Sequence, residues 1–142
     1  MIASAAPLAV VISSIVILAV TGNLISPSPY VIAVQAGAIA LSVWARRSFP
    51  KDSFRVVANP GASSIIRRGP YRSIRHPMYS AALIFIWAAV LSHLSPWTLV
   101  LGLVVTSVVG ARVVVEERLL RQRYPEYEGY ARATKALIPF IV

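Results

Sequence analysis

PMYSAALIFIWAAVLSHLSPWTLVLGLVVTSVVGARVVVEE, residues 77–117, is the stretch whose reading decides the fold. No Asp, Glu, Lys or Arg occurs between Met78 and Ala111, and the uncharged break Ser92-His93-Leu94-Ser95-Pro96 divides the run in two. The halves, Met78–Leu94 and Trp97–Val115, read as two apolar helices joined by a tight turn. The second reaches the about 20 residues that span hydrocarbon, and the first lies near the lower limit. Toward the N-terminus the pattern repeats. Residues 1–45 carry no Asp, Glu, Lys or Arg, and Gly22-Asn23 through Pro27-Ser28-Pro29 separate the apolar segments Ala3–Ile25 and Tyr30–Trp44. The latter is short for a span, so it borrows from Ser26–Pro29 or sits in thinned bilayer. No Lys or Arg precedes the first segment and no small-residue cleavage site follows it, which reads as a retained helix rather than a signal peptide.

The charges sharpen this picture. The 142 residues are 57% hydrophobic and 13% charged, against about 45–50% and about 25% in soluble domains. A soluble protein this apolar has too few polar groups to cover itself. The formal charge is +9, which in a soluble protein would suggest nucleic acid. Here eight of the fourteen cations fall between Arg46 and Arg75 and the other six between Arg112 and Lys135, in two blocks parted by a long apolar run. That segregation excludes a nucleic-acid domain and fits a membrane protein. All the Lys and Arg lie at one end of the hairpins, which the positive-inside rule assigns to the cytoplasm, while Tyr30 and Trp97 sit at the opposite, outer face. The expectation is one all-α domain over residues 1–142, an integral, multi-pass bundle of about four transmembrane helices with both termini cytoplasmic. It comprises an N-terminal hairpin (1–45), a basic loop (46–76), a second hairpin (77–115), and a helix extension with a tail (116–142). Good helix formers carry the fourth helix out to about Tyr124, and Pro125 ends it. The apolar end from Ala136 is expected to return to the interface. Without cysteine, disulfide, thiolate and zinc–thiolate chemistry are excluded.

Three clusters carry chemistry, and the topology puts all of them at the cytoplasmic surface. Gly69-Pro70-Tyr71-Arg72-Ser73-Ile74-Arg75-His76-Pro77-Met78-Tyr79 is the densest. Pro77 suits the first position of a helix, where its missing N–H costs nothing. His76 is then the cap, and that helix start, with Arg72 and Arg75 beside it, is a ready anion site. The plain alternative is a membrane boundary, with Arg for lipid phosphate and Tyr for the interface. Arg112 and Glu116 share a helix face at a spacing of four, and Glu116-Glu117 are the acids nearest the membrane. They suit a cationic ligand such as a sulfonium or ammonium, or form a routine ion pair. Tyr127 and Tyr130, three apart, make an aromatic wall or an interfacial anchor. His93, on the outer face, has no role.

At these residues the chain resembles the isoprenylcysteine carboxyl methyltransferase family and its relatives, the phospholipid methyltransferases. The pattern is carried by Gly69, Tyr71, Arg75-His76-Pro77-Met78-Tyr79, Glu116-Glu117, Tyr124-Pro125, Tyr127, Tyr130 and Pro139. The resemblance covers about residues 60–142. It implies a helical membrane bundle holding S-adenosylmethionine in a cytoplasmic pocket, without metal, open sideways to a lipophilic acceptor. That acceptor is a membrane lipid or a prenylated small molecule or peptide. The cofactor contacts it implies are Tyr71, Arg75, His76, Pro77, Met78, Tyr79 and Glu116, with Ser63, Ser64, Ile65 and Ile66 lining the site. Arg112 matches the position that orients the acceptor. Ser63, Ala81 and Ala136 depart from residues frequent in the family (His, Gly and Arg), and one residue is missing between Glu117 and Tyr127.

A carboxylate acceptor needs no base and suits Arg112. An amine must lose a proton first, with Glu117 or Tyr130 to assist. Transport is disfavoured because no ionisable residue interrupts the apolar runs between the charge blocks. A non-catalytic membrane relative is the remaining alternative.

Overall fold

In the computed structural model, which describes residues 2–48 and 65–137, five helices follow one another: α1 (Ile2–Val20), α2 (Pro29–Arg47), α3 (Pro77–Ser92), α4 (Pro96–Arg123) and α5 (Tyr127–Ala133). A single 3₁₀ turn, Gly69–Arg72, precedes α3. The helix boundaries follow local chemistry. Proline stands at the start of α2, α3 and α4, where its fixed φ is already helical and no N–H is needed. Ser95 closes the start of α4 with a capping box: its backbone N–H donates to Thr98 Oγ1 at 2.9 Å, and its Oγ accepts from the Thr98 N–H. α1 ends at Gly22, whose φ of +72° allows the paired bonds Asn23 N–H to Leu18 O and Gly22 N–H to Ala19 O. The second apolar segment is longer than its apolar residues suggest. α2 runs 19 residues, because Arg46 and Arg47 extend it past Trp44.

α2 packs chiefly on α3, while α1, α3 and α4 meet around Leu18, Ile86, Ala89, Val90, Val105, Val109 and Val113. Gly102 lets the Trp87 ring lie against α4, a Cβ there standing 3.3 Å from the ring. Polar groups on the apolar helices are satisfied from within. Ser14, Thr106 and Ser107 donate to carbonyls four residues earlier, Trp87 Nε1 donates to Thr106 Oγ1, and Gln35 Nε2 donates to Leu24 O.

The outside of this bundle is apolar. Leu8, Ile12 and Val16 form one stripe of α1, each about half exposed, and Val100, Leu103 and Val104 do the same on α4. Contiguous faces of this kind call for a partner or for lipid. Of the described helices one, α4, has both the length and the apolar composition to cross a bilayer; the apolar helices Ala6–Val20 and Pro77–Ser92 are shorter. The all-helical class and the four long helices are therefore present, while length and composition mark one of them as a span. With 28 residues at about 1.5 Å each, α4 outreaches a hydrocarbon layer, and its polar last turns begin at Glu116, beyond the apolar run that ends at Val115.

After α4, Tyr124 and Pro125 break the helix, and α5 folds back. The segment that follows pairs with the approach to α3 through a parallel bridge between Ile74 and Lys135. Ala136 and Leu137 pack against the core, and the rest of the apolar end lies outside the described residues.

Candidate functional site

The start of α3 and the polar turns of α4 face each other, and the sequence sets up both. Pro77 opens α3 and is buried. His76 occupies the cap position without using its side chain to cap, so the imidazole lies between the two adjacent carboxylates of α4. Nε2 is 3.3 Å from Glu117 Oε1 and Nδ1 is 3.6 Å from Glu116 Oε2. The contact to Glu117 is within hydrogen-bond reach, while that to Glu116 is longer than a hydrogen bond. Tyr79 stacks on His76 with centroids 5.7 Å apart and donates its hydroxyl to Glu116 Oε1 at 2.9 Å. Arg112 Nε lies 2.7 Å from the same oxygen. That contact is an ion pair rather than an aligned hydrogen bond, since Arg112 Nε is buried with no hydrogen-bond partner among the described residues.

Glu117 is held from the other side. Arg75 Nε donates to its Oε1 at 2.5 Å, and Arg121, one turn on, reaches Oε2 at 3.4 Å. Burial by itself would raise this carboxyl, but hydrogen bonds from His76 and Arg75 and their charge outweigh it and lower it to about 2. Glu117 is therefore held ionised, next to a tyrosine cluster. Tyr71 lies in the 3₁₀ turn, made possible by Gly69 at φ +60°, where a Cβ would collide with Ser48 Oγ. The turn is tied to the end of α2 by Arg68 Nε donating to Ser48 O at 2.9 Å. Tyr130 donates its hydroxyl to Tyr71 O at 2.7 Å, stands edge-on to Tyr127 at 5.8 Å, and lies beneath the Arg67 guanidinium at 5.5 Å. Burial raises the hydroxyls of Tyr71, Tyr127 and Tyr130, that of Tyr130 to about 12. Tyr127 Oη is buried with no hydrogen-bond partner among the described residues.

The fold thus gathers Tyr71, His76, Pro77, Tyr79, Arg112, Glu116, Glu117 and Tyr130 from segments up to 59 residues apart. Met78 is half-buried beside them. Ile65 and Ile66 are half-buried ahead of the 3₁₀ turn and bring no polar group to the cluster. Ser63, Ser64 and Pro139 lie outside the described residues. Two details differ from the sequence expectation. The Arg75 side chain is spent on the protein itself. The helix start is partly covered as well, since the His76 N–H donates to Ala136 O at 3.0 Å, leaving the Met78 and Tyr79 N–H groups as the donors of that turn.

Sequence reading also passed over residues that build the site. Arg121 carried a signal, four positions after Glu117. Ser80, whose hydroxyl contacts His76 O and Leu137 O, and Thr134, whose carbonyl accepts from Arg75, carried none. Among the described residues no group of three or more His, Asp or Glu side chains is placed to hold a metal ion. Two braced carboxylates lie beside aromatic faces there, groups of the kind that attract organic cations.

Cobalt-zinc-cadmium resistance protein CzcN of Cupriavidus metallidurans is 32% identical over 78 residues, 54% of this chain and 36% of that protein. The chain thus matches little more than a third of its relative's length. No solved structure matches. A family model described as phospholipid methyltransferase matches residues 30–127, which takes in α2, the 3₁₀ turn, the Arg75-His76-Pro77 motif, α3 and both carboxylates. The resemblance read from the motif is thereby borne out, and the chain belongs to the phospholipid methyltransferase family.

Proposed function

We propose that this protein is an S-adenosylmethionine-dependent methyltransferase acting on a lipophilic acceptor, as the isoprenylcysteine carboxyl methyltransferases do. The observation that carries this reading is the His76 ring set between Glu116 and Glu117, with Tyr79 and Arg112 on the same carboxylate, at the polar end of an apolar bundle. S-adenosylmethionine supplies an electrophilic methyl group on a sulfonium. Glu116 would hold the cationic end, Tyr71 and Tyr79 would wall it, and the Met78 and Tyr79 N–H groups would face the carboxylate end. Positioning supplies most of the catalysis in such a displacement. Ser63 and Ser64 belong to the same proposal as lining residues.

Arg112 orients the acceptor. Glu116 anchors its Nε at 2.7 Å, and the guanidinium so held is the group that would pair with an acceptor carboxylate. An amine acceptor needs a base, and the candidates are occupied: Tyr130 donates to Tyr71 O, and Glu117 is held by Arg75, His76 and Arg121. This supports carboxyl methylation. The second reading, methylation of an amine-bearing phospholipid, is supported by the family description. Both use the same membrane arrangement: four spans, with termini and site on the cytoplasmic side, so that an acceptor reaches the site from the bilayer.

The test is saturable binding of S-adenosylmethionine to the purified protein, with His76→Ala and Glu116→Ala alongside. Binding is expected in the wild type and weakened about ten-fold or more, about 1.4 kcal/mol, in both variants. A folded wild type that binds none would end the enzymatic reading in favour of a non-catalytic relative.

A further inference from the structure

Arg75 stands beside His76 in the motif, and its guanidinium is spent on the protein itself. Its side chain is 12% exposed. Nε donates to Glu117 Oε1, and Nη1 donates to Ala131 O at 2.9 Å and to Thr134 O. These carbonyls end α5, where helix geometry leaves them without partners and where the dipole favours a cation. The main chain runs the same way. The Arg75 N–H donates to Lys135 O at 2.8 Å, the His76 N–H to Ala136 O, and the Lys135 N–H to Ser73 O at 3.0 Å. One side chain thus joins the end of α5, the start of α3 and the carboxylate of α4.

We propose that Arg75 is a positioning residue: it braces the segment Ala131–Leu137 against the start of α3 and so fixes Glu117 and the His76 ring that shares its Oε1. The inference rests on the methyltransferase reading above for what the braced groups serve. Without Arg75, Glu117 keeps Arg121, a half-exposed partner one turn on at 3.4 Å, and follows it outward. His76 then loses its nearer acceptor, and the carbonyls of Ala131 and Thr134 are left unpaired. Lysine replaces the charge but not the planar fork that serves a carboxylate and two carbonyls together.

The experiment is amide hydrogen exchange on the full chain in detergent, without cofactor, for wild type, Arg75→Gln and Arg75→Lys, followed by S-adenosylmethionine titration of each. Exchange over residues 130–137 and at Arg75 and His76 is expected to speed up about ten-fold or more in Arg75→Gln and to rise in Arg75→Lys. The interiors of α3 and α4 stay protected, which reports that the variants are folded. Affinity for S-adenosylmethionine is expected to fall about ten-fold in Arg75→Gln. Lost affinity with unchanged exchange would make Arg75 a direct ligand and overturn the proposal. Faster exchange with unchanged affinity would show a brace that does not serve the site, and would overturn it too. A wild type that binds no cofactor would sink the methyltransferase reading, and the exchange comparison would still decide the brace.

Discussion

Glu116 accepts from Tyr79 and pairs with Arg112, so the two members of one ion pair have separate expected roles. Glu116→Ala is expected to weaken S-adenosylmethionine binding about ten-fold or more. Arg112→Ala is expected to lower turnover with a smaller effect on cofactor affinity, and parallel titration and single-turnover assays separate the two. Equal losses of both quantities in both variants would refute the division. Tyr130 is read as a structural donor. Tyr130→Phe removes the hydrogen bond to the buried Tyr71 carbonyl, a cost of about 0.5–1.5 kcal/mol readable in thermal unfolding, while methyl transfer per folded molecule stays near wild type. The same hydroxyl sets a pH limit. Its folded pKa is raised by burial to about 12 from 10, so its contribution is full below pH 10 and is lost as pH rises from 10 through 12. The melting temperature of the wild type should fall over that window, and the slope should be shallower in Tyr130→Phe.

At the scale of elements, the 3₁₀ turn Gly69–Arg72 is the joint between α2 and the motif. Gly69 is needed twice over, for its positive φ and for the room that Ser48 Oγ and Trp44 Nε1 leave it. Gly69→Ala is expected to cost about 1–3 kcal/mol, measured as a lowered melting temperature. It should also weaken cofactor binding, because the turn carries Tyr71 toward Glu116. An unchanged melting temperature would show that the joint yields. The helices themselves were legible in the residues. Apolar runs, the prolines at Pro29, Pro77 and Pro96, and the break at Pro125 mark them to within a few positions. α5 was not, because seven residues carry too few turns to show a period, and a helix that short holds only through its tertiary contacts.

For the whole molecule, the apolar faces of the described helices call for a partner or for lipid, and the four-span arrangement proposed above puts the polar turns of α4 outside the bilayer. The chain has no cysteine, so single introduced thiols report topology without background. His93→Cys and Ser28→Cys are expected to react with an impermeant maleimide from the outer side of intact cells, and Arg118→Cys only after the membrane is opened. Labelling of all three from the same side would overturn the four-span arrangement.

Apolar runs, proline positions and charge blocks are local properties, and they determined the helices, the cap at His76, and the shared face of Arg112 and Glu116, four residues apart on one helix. The tertiary structure decided where the long side chains go. Arg75 could have faced solvent, lipid phosphate or ligand; it meets Glu117 and the carbonyls of Ala131 and Thr134 because α5 folds back against the start of α3. Tyr130 meets the Tyr71 carbonyl, 59 positions away, for the same reason. Helical period constrains neighbours three and four apart, whereas contacts across such separations depend on how whole elements pack, which no periodicity within either segment records.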